Sequence, residues 1–184
     1  YVSISDYQQS CCPELRYAGT VYNPIDIAQW PFRARAEKDD YLLAFGRLCA
    51  DKGFHTAIEV ARKTGRRLIV AGTIQQRYRD YYETVIKPEI DGEQVMFTGE
   101  VSLTEKWELF SRAQALLFPV QWPEPFGLVM IESMAAGTPV IAFPEGSVPE
   151  IVRDGLTGFV VNDADEMAAR IGDLDQIDAG ACRQ

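Results

Sequence analysis

Six short runs of Val, Ile, Leu, Phe and Ala, nearly all followed by a stretch with helical apolar spacing, restrict what this chain can fold into. A run of four or five apolar residues closed by Gly or a polar turn suits a strand covered on both faces. Parallel neighbours in turn need a crossover, usually a helix. The pattern predicts strands at 41–45, 67–71, 94–98, 115–118, 139–142 and 158–161. Helices are expected at 53–64, 78–87 and up to residue 112 from a capping box formed by Ser102 and Glu105. Further helices are expected at 127–136 and 148–153, with a last one starting near Asp163. The expected fold class is α/β: a doubly wound, Rossmann-like parallel sheet of about six strands with helices on both faces. Such sheets bind ligands at the carboxyl ends of their strands.

Residues before Tyr41 break the alternation, with Pro13, Pro24 and Pro31 and a mixed-charge stretch from Arg33 to Asp40. They read as the tail of another domain followed by a linker. The chain opens at Tyr1, and Asp178 to Gln184 carry no visible folding signal, which together suggest a piece of something longer. A formal net charge of −9 excludes a counterion-displacing surface for nucleic acid or anionic membrane, so any phosphate must be held locally. No apolar run approaches the ~18 residues that cross a bilayer, and a cytoplasmic protein is expected. Cys11, Cys12, Cys49 and Cys182 lack metal-ligand spacing and are expected as reduced thiols. The single histidine, His55, is expected as an ordinary helix residue and cannot support a His-based metal cluster.

Neither G-x-G-x-x-G nor G-x-x-x-x-G-K-[ST] occurs, so the common dinucleotide and P-loop sites are excluded. Two segments carry chemistry instead. In Phe45-Gly-Arg-Leu-Cys-Ala-Asp-Lys-Gly53, Gly46 allows a sharp turn off the first strand, while Arg47 and Lys52 project at its carboxyl edge near a helix start. A planar guanidinium fork and a mobile ammonium suit the two groups of a diphosphate. Alone, the same loop would equally hold an exposed arginine and a Lys52–Asp51 pair. The second segment joins a strand, a turn and a helix through Glu124-Pro-Phe-Gly127 and places Glu132 about two helical turns further on. Gly127 leaves backbone amides for phosphate or sugar oxygens, and the two carboxylates can accept from vicinal hydroxyls. A solvated helix face could carry the same two glutamates.

Taken together, the residues resemble the retaining GT-B glycosyltransferases known as glycosyl transferases group 1. The resemblance rests on F-G-R-x-x-x-x-K-G at 45–53, E-P-F-G-L-x-x-I-E at 124–132, A-x-G-T-P-V at 135–140, V-P-E-I-V at 148–152 and D-G-x-T-G-F-V-V at 154–161. It implies the C-terminal half of a GT-B fold. Residues 1–25 would then be the remnant of an N-terminal domain with the interdomain crossover, 26–40 a linker, and 41–184 the donor-binding domain. It further implies that Arg47 and Lys52 neutralise the donor diphosphate, that Glu124 contacts the transferred sugar and that Glu132 holds the ribose. Backbone amides of Phe126, Gly127 and Leu128 would meet sugar and phosphate oxygens. Thr98 to Val101 and the loop after Gly72 would wall the base pocket. The implied activity is hexosyl-type transfer from a UDP-, GDP- or ADP-sugar, with retention and without a metal, to an acceptor bound by an N-terminal domain absent from this chain; the piece alone would be inactive. Arg47, Lys52 and Glu124 are the candidate catalytic residues, with no metal ligand and no cofactor. Gly146-Ser147 departs from the Gly-Gly common in the family. A non-hydrolysing nucleotide-sugar epimerase half and a non-catalytic nucleotide-binding module are the alternatives.

Overall fold

The computed structural model describes residues 1–184. Its body is a six-stranded, all-parallel sheet built from β3 (Leu42–Phe45), β4 (Leu68–Ala71), β5 (Val95–Gly99), β6 (Ala115–Phe118), β7 (Val140–Ala142) and β8 (Gly158–Val160). The spatial order is β5-β4-β3-β6-β7-β8, so the chain winds outward from β3 in one direction and then from β6 in the other. The first two strands are parallel neighbours in the register Leu42↔Leu68 to Phe45↔Ala71, as the pattern predicts. All four residues of β6 are buried, which is what a central strand covered on both faces requires.

The crossovers are α2 (Phe54–Thr64), a mixed helical stretch from α3 (Arg79–Tyr81), α4 (Leu103–Arg112), α5 (Leu128–Ala135) and α6 (Val148–Ile151), and α7 (Ala164–Ile171) follows the last strand. α4 opens on the predicted capping box: Ser102 Oγ accepts from Glu105 N, while Ser102 N donates to Glu105 Oε2. Asp163 likewise caps α7. The helix expected at 78–87 is instead a chain of short turns, with a π turn at Tyr82–Ile86 and a 3₁₀ turn at Lys87–Glu89 around Pro88. Ile86, at the end of the π turn, is fully buried in the core.

Upstream, β1 (Val2–Ser3) pairs parallel to β2 (Gly19–Thr20), with α1 (Asp6–Ser10) between them. This small unit is held to the body by Glu150 of α6, whose carboxylate accepts from the amides of Asp6 (3.0 Å) and Tyr7 (3.1 Å). Residues 26–40 lie along the body: Trp30 is buried in the core, and Lys38 Nζ donates to Ser111 O (2.9 Å) and Thr138 Oγ1 (2.7 Å). Burial lowers the Lys38 ammonium to about 8. The carboxyl-terminal residues fold as well, contrary to the expectation for 178–184. Asp178 caps α8 (Ala179–Cys182), and the Arg183 guanidinium donates to the carbonyls of Trp30, Ala135 and Ile27 at 2.9 Å. Asp178 as an N-cap was the available signal. All four cysteines are free thiols; Cys49 and Cys182 are buried, and burial pushes the Cys182 thiol up to about 12.

The sheet edge has its own electrostatic fastening. Arg62 of α2 and the amides of Glu93, Val95 and Gln94 surround the Asp91 carboxylate at the start of β5, holding it well below the ordinary value of 3.8. A carboxyl depressed by folding stabilises the protein fully above 3.8 and loses that contribution as pH falls below it. Asp91→Asn is therefore expected to unfold at lower urea than the parent near about pH 7, with the gap narrowing toward about pH 3. Urea midpoints at the two pH values check this.

Candidate functional site

In a doubly wound sheet the ligand crevice lies where strand order reverses, outside the carboxyl ends of the two strands that diverge there. Here those strands are β3 and β6. The loop after β3 carries Gly46, Arg47 and Lys52; the loop after β6 carries Glu124, Phe126 and Gly127 and leads into α5 with Leu128 and Glu132. The two sequence segments singled out for their chemistry therefore emerge at one point of the fold.

Close backbone approach makes this possible. A β-carbon at Gly53 (φ +69°) would fall on the Pro119 carbonyl, and one at Gly72 (φ +140°) on the Gly46 carbonyl. Gln121 N donates to Asp51 O at 2.7 Å, bridging the loops. Gly46 N donates to Ala71 O (3.0 Å) and Leu48 N to Thr73 O (3.0 Å), which stitch the β3 loop to the β4 loop. Gly72 thus serves this contact directly.

Across the crevice Lys52 pairs with Glu124, not with Asp51, and both side chains are largely buried. Trp122 Nε1 donates to the same carboxylate oxygen at 2.8 Å. The Lys52 ammonium also lies 5.4 Å from the Phe118 ring centre and 5.3 Å from that of Trp122, within cation–π range. Arg47 packs against Tyr78, and its Nε is buried with no acceptor. The amides of Gly127, Leu128 and Val129 at the start of α5 likewise meet no protein acceptor. An orphaned buried guanidinium N–H and a set of open helix-start amides make an arrangement that can receive anionic oxygens.

Glu132, one turn into α5, is ion-paired with Lys106 of α4 at 2.6 Å. Sequence reasoning missed Lys106, although the capping box placed it in the first turn of α4, and it missed Trp122, two residues before Glu124. Thr98, exposed, and Val101, half-buried, stand apart from these groups. They line a cavity of about 440 Å³ with Tyr41, Ile69, Glu105 and Arg112, to which none of Arg47, Lys52, Glu124 and Glu132 contributes. His55 sits in the first turn of α2 with Nδ1 3.0 Å from Tyr81 Oη. Ser147 is fully buried, its Oγ unpartnered, and its amide donates to Glu124 O at 2.9 Å.

Residues 26–176 match the family described as glycosyl transferases group 1, and the chain belongs to it. It is a glycosyltransferase domain with a Rossmann-like GT-B half as its fold. Glycogen synthase of Mycobacterium tuberculosis is 37% identical over 153 residues, covering 79% of this chain and 36% of that enzyme. D-inositol 3-phosphate glycosyltransferase of Streptomyces scabiei is 45% identical over 74 residues, 40% of this chain and 16% of that protein. AviGT4, a glycosyltransferase involved in avilamycin A biosynthesis, superposes with a TM-score of 0.80 at 29% identity over 99% of this chain and 56% of its own. Anabaena Alr3699/HepE, solved in complex with UDP and glucose, shares the fold with a TM-score of 0.80 at 22% identity, with the same coverage of 99% and 56%. The chain thus spans about half the length of these solved relatives and about a third of the glycogen synthase. No helix is long and apolar enough to cross a membrane.

The turn that carries Glu124 lies backbone to backbone against Gly146. A β-carbon at Gly146 (φ +65°) would overlap the Glu124 amide and carbonyl, so the turn holding the carboxylate can lie there only against glycine. Gly146→Ala is expected to destabilise by about 2 kcal/mol or more. Gly92→Ala, at φ +77° but in open space, should lose only about 1 kcal/mol from backbone strain. Denaturant unfolding of the two variants checks the difference.

Proposed function

We propose that this chain binds the diphosphate and ribose of a nucleotide sugar and activates its glycosyl group for transfer with retention of configuration. The observation that carries the proposal is the convergence at the β3/β6 reversal of Arg47, with its unpartnered buried Nε, Lys52 and the open amides of Gly127, Leu128 and Val129. Transfer builds negative charge on the departing diphosphate. Preorganised cations and helix-start amides stabilise that charge most effectively where water is excluded. Arg47 offers a fork to two phosphate oxygens, and Lys52 a point charge already oriented by Phe118 and Trp122. These groups supply the neutralising charge from the protein itself, so the reaction runs without a divalent cation. Glu124, fixed by Trp122 and by the backbone at Gly146, accepts from sugar hydroxyls and orients the ring. Glu132 accepts from the ribose, and the loop after Gly72, stitched to the Arg47 loop by Leu48 N donating to Thr73 O, walls the base. Bound nucleotides in the solved HepE relative agree with this choice of ligand class.

Acceptor binding falls to a further, N-terminal domain, of which residues 1–25 are the last part, with 26–40 the linker and 41–184 the donor-binding unit. The docking of the β1-α1-β2 unit on Glu150 and, through Ser5 Oγ, on the Pro125 carbonyl supports this division, since it brings the upstream segment to the rim of the crevice. Without that domain the crevice stays open to water and the acceptor is not positioned, so the chain by itself does not transfer sugar.

Calorimetric titration of UDP, GDP, ADP and uridine tests the donor site. At least one diphosphate is expected to bind, unchanged by EDTA. Arg47→Ala or Lys52→Ala should weaken the diphosphate by about tenfold or more while leaving the nucleoside nearly unaffected. Glu132→Ala should weaken both. Absence of binding at millimolar diphosphate, or indifference to Arg47→Ala, overturns the assignment.

A further inference from the structure

Lys106 occupies an unusual place for a helix-surface lysine. Its ammonium donates to Glu132 Oε1 at 2.6 Å, and the two side chains are only 21% and 15% exposed. Three rings surround it, with centres 5.2 Å (Phe45), 5.7 Å (Trp30) and 5.8 Å (Phe110) from Nζ. A cation held by a carboxylate and three aromatic rings has little freedom to swing into solvent. Phe45 is the last residue of β3 and directly precedes Gly46 and Arg47, so the pair stands at the carboxyl end of the strand from which the diphosphate loop departs. Glu132 Oε2 accepts no hydrogen bond from the protein, so one half of the carboxylate is engaged and the other is not.

Two physical consequences follow from that asymmetry. A partly buried carboxylate near an anionic ligand repels it unless a neighbouring cation cancels its charge. A carboxylate pinned through one oxygen also offers the other in a fixed direction, as supporting hydrogen bonds do for metal ligands and catalytic groups. We propose that Lys106 is a positioning residue for ribose recognition: it holds Glu132 by Oε1, leaves Oε2 to accept from the vicinal hydroxyls, and removes the repulsion that Glu132 would exert on the donor diphosphate. This rests on the nucleotide-sugar reading above, with Glu132 as the ribose acceptor. Trp30 joins the same device. Its ring packs on Phe110 edge-on, and its carbonyl is held by Arg183, so the tail of the chain supports the cage that holds Lys106.

The test compares UDP with 2′,3′-dideoxy-UDP by calorimetry, with the GDP and ADP pairs run in parallel, on the parent, Lys106→Met, Lys106→Arg and Glu132→Gln. The parent is expected to prefer the ribonucleotide by about tenfold, as for loss of charge-assisted hydrogen bonds. Lys106→Met should reduce that preference to near unity, Lys106→Arg should keep most of it, and Lys106→Met should add nothing in the Glu132→Gln background. If Lys106→Met fails to fold by circular dichroism, Lys106→Leu, which likewise carries no donor, is read in the same way. A preference left unchanged by loss of the lysine, even with both nucleotides weakened alike, overturns the inference while leaving the donor site intact. A parent that binds a diphosphate without preferring the ribose removes the role of Glu132 and that of Lys106 with it. If no diphosphate binds, the donor-site reading itself falls.

Discussion

The carboxyl ends of β3, β4 and β6 meet through bare backbone, and the site depends on that contact. Gly72 lies against the Gly46 carbonyl and Gly53 against that of Pro119, at distances that leave no room for a β-carbon. Without these contacts the loop after β3 would stand off from the loop after β6, and Lys52 could not reach Glu124. The sheet's central strands are apolar and interchangeable in kind, since any well-packed Val, Ile or Leu keeps a doubly wound core together. The loops are not. Their glycines are steric requirements of the crevice.

Charge is managed locally in a protein that carries a formal net charge of −9. Each glutamate of the crevice is matched to one lysine, Glu124 to Lys52 and Glu132 to Lys106, and each ammonium is also flanked by aromatic rings. The rings restrain the cations where partial burial strengthens their pairing, and the carboxylates keep unengaged oxygen for other acceptor work. Arg47 is the exception: its pairing capacity is open, with a buried Nε lacking an acceptor. An anion entering this crevice would meet one uncommitted guanidinium, one lysine shared with Glu124, and the free amides at the start of α5.

The chain's two ends lie on the body. Glu150 caps α1 while Tyr22 donates to the same carboxylate at 3.2 Å, so one residue of the V-P-E segment fastens the upstream unit. At the other end Arg183 ties α8 to the carbonyls of Ile27, Trp30 and Ala135. Both fastenings use hydrogen bonds between residues more than 40 positions apart, which no local pattern announces.

What the sequence alone determined follows from interactions between near neighbours. Apolar runs of strand length, helix spacing, the Ser102–Glu105 capping box and the glycines that close three of the strands (Gly46, Gly72 and Gly99) are local, so six parallel strands, the crossover helices and the two chemistry-bearing loops were legible, as was the family. The irregular helix around Pro88 was not: the pattern marked only that the helix stops before Pro88, whereas the π turn at Tyr82–Ile86 precedes it. The folded tail was not either, since a four-residue helix persists only through its contacts with Trp30 and Ala135. Tertiary structure alone decided the partners: that Lys52 turns to Glu124 rather than Asp51, that Lys106 holds Glu132, and that Thr98 and Val101 face a different cavity from the charged groups. The physical reason is that secondary structure depends on neighbours in sequence, whereas ion pairs depend on which strand ends the sheet order sets side by side.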